Sequence, residues 1–173
     1  MLDIVISYVE SFFRERNIWS PRDLCLDELA AEHNATLLYE PRRSHAVTIV
    51  HAPNSVEHLC VVNCTETRRV QRVHAAHELA HVLLHSGNQT TMVNLFRIYQ
   101  EAQAVRLAGH IFAPTYLLAK YLRQAPPFYE ANVTYLAHVF CVTYEAMQRR
   151  LEEFTQNYTA AGLAEAYDLE CLI

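Results

Sequence analysis

Residues 73–87 read VHAAHELAHVLLHSG, and this stretch constrains the fold more than any other. His74, His77, His81 and His85 are spaced by three, four and four, so a helix here lines all four imidazoles along one stripe. Val73, Ala76, Ala80, Val82, Leu83 and Leu84 lie between them and give the same helix apolar surface to bury. A chain that builds this helix must pack it on one side and bring a further element up to the histidines on the other.

Within the stripe, HELAH (His77–His81) matches the H-E-x-x-H zinc motif. The two histidines stand one turn apart, roughly 6 Å in rise, so their rings can converge on one ion at about 2.0 to 2.1 Å. Glu78 is rotated about 100° from His77 and stands beside such an ion, where a general base for an activated water belongs. A catalytic zinc takes three protein ligands. The best third candidate is Glu101 in YQEAQAVRLAGHIFAP, placed after His81 at a distance that suits a helix, a turn and an antiparallel return. Glu130 and Glu145 lie beyond Pro114 and are weaker candidates. Three helical turns span roughly 12 Å, too long for His77, His81 and His85 to meet on one ion, so His85 is read as a contact behind the ligands or at the helix end. His74 is a rim residue by the same reasoning, and His110 falls on the far side of the Glu101 helix as core or surface. Tyr99 and His85 are both candidates, by proximity, for stabilising an oxyanion.

The rest of the chain frames this helix. With 173 residues it is long enough to bury a core as one domain, with N-terminal helices and a sheet over about residues 1–65 and active-site and C-terminal helices over about 66–160. Helices are predicted over Leu2–Asn17, from the Ser20-Pro21 cap through Asn34, over Thr67–His85 with Gly87 as C-cap, over Leu95–Arg123 with a break at Pro114, and over Val133–Gln156. ATLLYE, AVTIVHA and EHLCVVNCT are short, apolar and β-branched, and read as a small antiparallel sheet with Cys60 and Cys64 on one face. EHLCVVN reads as a buried strand, or as an exposed edge able to pair with an extended peptide.

A net charge of −5 opposes direct binding to nucleic acid, and Arg68, Arg69 and Arg72 read as a solvated face. No apolar run approaches a membrane span, and the acidic N-terminal stretch lacks the pattern of a secretory signal. Five scattered cysteines fit reduced thiols, so the expected compartment is the cytoplasm. The residues alone therefore lead to a zinc-dependent hydrolase.

HELAHVLLH followed by EAQAVRLAGHIFAP resembles the ImmA/IrrE family of zinc metallopeptidases. Glu101, Gln103, Ala104 and Pro114 match that family's second block, while Leu107-Ala108 replaces its usual Phe-Ala and Ala80 its usual glycine. LCLDELAAEHNATLLYE resembles the family's lead from helix to strand, and LAHVFCVTYEAMQRRL its late helical segment. The resemblance implies an α+β fold, a small antiparallel sheet packed with a zincin-like helical core that carries the H-E-x-x-H helix. It also implies a site-specific protease that inactivates a helix-turn-helix transcriptional repressor. A regulatory partner that binds a repressor or an antitoxin-like protein without cutting it is the alternative.

Overall fold

A computed structural model describes residues 1–51, 55–84 and 94–160. The elements in chain order are α1 (Leu2–Glu15), α2 (Leu26–Glu32), β1 (Ala35–Glu40), β2 (His45–His51), β3 (Ser55–Asn63), α3 (Arg68–Leu84), α4 (Asn94–Phe112), α5 (Thr115–Leu122), α6 (Tyr129–Val139) and α7 (Tyr144–Ala160). The fold is α+β, as expected. Gly87 and His85 lie outside the described residues.

The sheet is mixed rather than purely antiparallel. Its order is β1-β3-β2, with β2 antiparallel to β3 and β1 parallel to it, Ala35 facing His58 and Glu40 facing Asn63. Strand direction alternates along the chain, so once β3 inserts between its two predecessors its pairing with β1 has to be parallel. β3 takes the centre because it is the most completely buried strand: Cys60, Val61 and Val62 in succession are buried, which covers both of its faces. Both edges of β3 are therefore occupied, and EHLCVVN is not an edge that could receive a peptide. The exposed edges belong to β1 and β2. β3 ends at Asn63, so Cys64 leaves the strand for an exposed turn while Cys60 stays in the core.

Two helix ends differ from expectation. The Ser20-Pro21 segment forms a turn, in which the Asp23 N–H donates to Ser20 O and the Arg22 N–H to Ser20 Oγ, and α2 starts only at Leu26. The predicted helix over Val133–Gln156 is two helices. Cys141 adopts a left-handed conformation at φ 54°, the Val142 N–H reaches back to Ala137 O, and Thr143 Oγ1 accepts from the Ala146 N–H to cap α7. Asn17 (φ 57°) closes α1 in the same way, with the Ile18 N–H donating to Phe13 O.

α3 lies against β2 and β3 on one side and along α4 on the other. Its inner face is Ala75, Ala76, Leu79 and Ala80, all buried, and the small side chains let α4 approach closely with Ala104, Leu107, Ala108 and Ile111. α5, α6 and α7 complete the core through Leu117, Leu136, Met147 and Leu151. The histidine face of α3 is thereby held opposite α4.

Candidate metal centre

α3 carries His77, Glu78 and His81, and α4 brings Glu101 against them. His77 Nε2 lies 3.1 Å from His81 Nε2 and 3.3 Å from Glu101 Oε2, and His81 Nε2 lies 3.5 Å from Glu101 Oε1. Ligands about 2.0 to 2.1 Å from a tetrahedral centre stand ~3.4 Å apart. The three donor groups thus already have the mutual spacing that one small cation requires, and they are the one such group among the described residues. Burial lowers the pKa of His77, against the opposing pull of Glu101, which favours the neutral imidazole that a metal ligand must be. The two imidazole planes are near perpendicular, at 87°, so neither ring blocks the other's approach to a shared point.

Glu78 is 8% exposed and accepts a hydrogen bond from the Ala46 backbone N–H on β2. Burial pushes its carboxyl up to about 7, and the nearby Glu101 adds to the rise, while the Ala46 N–H and the Arg43 charge oppose it. This carboxylate stands next to the cluster without joining it. Because the Ala46 N–H points away from β3, the alternation of an antiparallel pair turns the main-chain groups of Thr48 and Val50 toward the same outer edge.

The other candidates fall elsewhere. His74 is half-buried, with Nδ1 3.1 Å from Ser44 Oγ, which in turn accepts the Asn63 N–H. Tyr99 is exposed, and its hydroxyl accepts from Gln103 Nε2. His110 is buried on the far side of α4, with Nδ1 2.8 Å from Glu10 Oε1 and Nε2 3.3 Å from Glu153 Oε1.

Beside His77 and Glu78 opens a pocket of about 530 Å3 between α3, α4 and α7. Sequence reasoning missed its arginines. Arg150 is 2% exposed, and its guanidinium donates to Ala113 O, Thr115 Oγ1 and Glu153 Oε2. Gly109 makes room for it, since a Cβ there would meet Arg150 Cδ at 2.8 Å. The sequence did carry a signal in QRRLEEF, where Arg150 and Glu153 are three residues apart and face each other on a helix.

The family model described as the IrrE N-terminal-like domain, Peptidase_M78, matches residues 30–152, which run from within α2 to the middle of α7 and include both helices of the cluster. The chain belongs to this family. No curated protein and no solved structure matches it. Peptidase_M78 membership makes the chain a metallopeptidase of the ImmA/IrrE type, whose substrate is a protein. No helix among the described residues is long and apolar enough to cross a membrane.

Proposed function

We propose that this metallopeptidase is a zinc-dependent, site-specific endopeptidase in which His77, His81 and Glu101 hold the ion and Glu78 is the general base. The observation that carries the reading is the set of spacings of 3.1, 3.3 and 3.5 Å among the three donor groups, with a buried carboxylate beside them. When bound, zinc supplies Lewis acidity, which polarises the scissile carbonyl and acidifies a water. Glu78 takes the proton of the attacking water and returns it to the leaving amine, its carboxylate steadied by the Ala46 N–H. The outer edge of β2 borders Glu78, and an extended substrate adds there through the main-chain groups of Thr48 and Val50.

The proposed substrate is a helix-turn-helix transcriptional repressor, a reading that rests on the resemblance to ImmA/IrrE proteases. The proposed compartment is the cytoplasm, in keeping with free thiols at Cys25, Cys60, Cys64 and Cys141. Tyr99 and His85, the latter outside the described residues, are the proposed candidates for stabilising the oxyanion.

Elemental analysis and a cleavage assay on a repressor encoded beside this chain test the reading together. Wild type should carry one zinc per chain and cut. Glu101→Ala should lose the metal, and Glu78→Gln should keep metal and fold while cleavage falls by about 10²- to 10⁴-fold. Full cleavage by Glu78→Gln would remove Glu78 as the base. Metal retention by Glu101→Ala would reassign the third ligand. A zinc-loaded wild type that binds the repressor without cutting it would replace the protease with a regulatory partner.

A further inference from the structure

We propose that the pocket beside His77 and Glu78 is a specificity subsite, which takes a bulky apolar substrate side chain next to the scissile bond and an acidic side chain two residues away, on the same face of the extended substrate. The inference rests on the proteolytic reading for its position, since His77 and Glu78 form one wall of the pocket. Its volume of about 530 Å3 falls in the roughly 300–1,000 Å3 range of ligand sites. Its walls are apolar, formed by Val73, Val105, Ala108, Phe112 and Ala146.

The charges in the pocket fall into two sets. Arg150, deep inside, and the half-exposed Arg106 are both held by Glu153, and Glu10 lies 3.9 Å from Arg150 and 2.8 Å from His110, so the charges of the two arginines are already matched by carboxylates. At the mouth, Arg43 and Arg149 are exposed, and among the described residues neither is in an ion pair. Arg149 spends one donor on Glu145 O in its own helix and keeps the terminal nitrogens of its guanidinium available. An apolar cleft closed by a neutralised floor and rimmed by two cations selects a side chain without charge inside and a carboxylate at the rim. A basic residue at that rim position is repelled.

The test is a peptide-library cleavage profile of the zinc-loaded enzyme, with matched binding of fluorescent peptides to Glu78→Gln by anisotropy. Leu, Met or Phe should dominate at the residue filling the pocket, with Asp or Glu enriched two residues from it. Changing that acid to Lys should weaken binding by about 3- to 10-fold at low salt and by less at high salt. Arg149→Glu and Arg43→Glu should invert the preference at the rim position, and Val105→Phe, at a partly exposed position, should shift the pocket toward smaller side chains. A profile indifferent to acidic residues, or one unchanged in Arg149→Glu, overturns the subsite and leaves the protease standing. Selective binding of the acidic-apolar peptide to Glu78→Gln, with no cleavage by wild type, upholds the subsite and removes the protease.

Discussion

Gly109→Ala is a small change whose sign depends on one distant side chain. In an ordinary helix interior the substitution stabilises by about 0.8 to 1 kcal/mol, because alanine gives up less backbone freedom. Here the new methyl would stand 2.8 Å from Arg150 Cδ, well inside contact distance. Arg150 cannot retreat, because its guanidinium is fixed on Ala113 O at 3.1 Å, Thr115 Oγ1 at 2.9 Å and Glu153 Oε2 at 3.3 Å. Overpacking of this kind costs about 1 to 3 kcal/mol and offsets or outweighs the propensity gain, so the expected net loss is up to about 2 kcal/mol. For a chain of this length that lowers Tm by up to about 6 °C. Arg150→Ala removes Cδ and itself costs about 3 to 5 kcal/mol, since it leaves Glu153 short of a buried partner. In that background Gly109→Ala should become stabilising by up to about 1 kcal/mol. The cycle is measured by urea unfolding near 15 °C, where stability is close to its maximum. A coupling equal to the overpacking cost, about 1 to 3 kcal/mol, is expected. Gly109→Ala stabilising the wild type, or acting alike in both backgrounds, would refute the packing argument.

The same network makes the fold acid-sensitive. Burial alone would raise the Glu153 carboxyl, but hydrogen bonds from His110 and Arg106 and the charge of Arg150 outweigh it and hold the pKa at about 2. Glu10 is lowered too, burial being outweighed by hydrogen bonds from His110 and Thr115. Carboxylates depressed in the fold contribute stability above their unfolded values near 4.5, and lose it as pH falls toward about 2. Glu153 should account for about 2 to 3 kcal/mol of that loss, and Glu153→Gln should flatten the stability profile between pH 5 and 2, as read from urea midpoints. Parallel profiles for the two proteins would count against it. Burial, with a smaller push from Glu78, raises the Cys60 thiol to about 12, so a thiol reagent at neutral pH should modify exposed Cys64 and Cys141 quickly and Cys60 only on unfolding. Equal rates would show that the sheet opens readily.

The grouping of His77, His81 and Glu101 was readable because a helix converts spacing into geometry. His77 and His81 share a face by their separation alone, and Glu101 needed only an antiparallel return. Strand pairing was not readable in the same way, since a period of two assigns faces and leaves partners open. The burial of three successive residues in β3 decided its central place, and the alternating direction of the strands then made the β1 pairing parallel. The break between α6 and α7 was missed because Cys141 is not a residue that marks left-handed turns, although Thr143 could have served as a cap signal. From sequence alone His110 reads only as core or surface, because its partners Glu10 and Glu153 lie far away along the chain. The arginines of the pocket were missed because charge on a helix reads as solvent-facing until a glycine on a neighbouring helix is found to leave room for it.

Glu10 Oε1 accepts hydrogen bonds from the N–H and hydroxyl of Thr115, 105 residues further along the chain. α1 is therefore tied to a corner of the molecule that does not exist when α1 is made. At a synthesis rate of about 5 to 20 residues per second, the interval is roughly 5 to 20 s. Until late in that time Glu10 lacks its polar partners and α1 has no complete α4 to lie against, and joining α1 to them requires closing most of the chain into one loop. A helix made well before its Thr115 partner is thus among the last to be fixed in place.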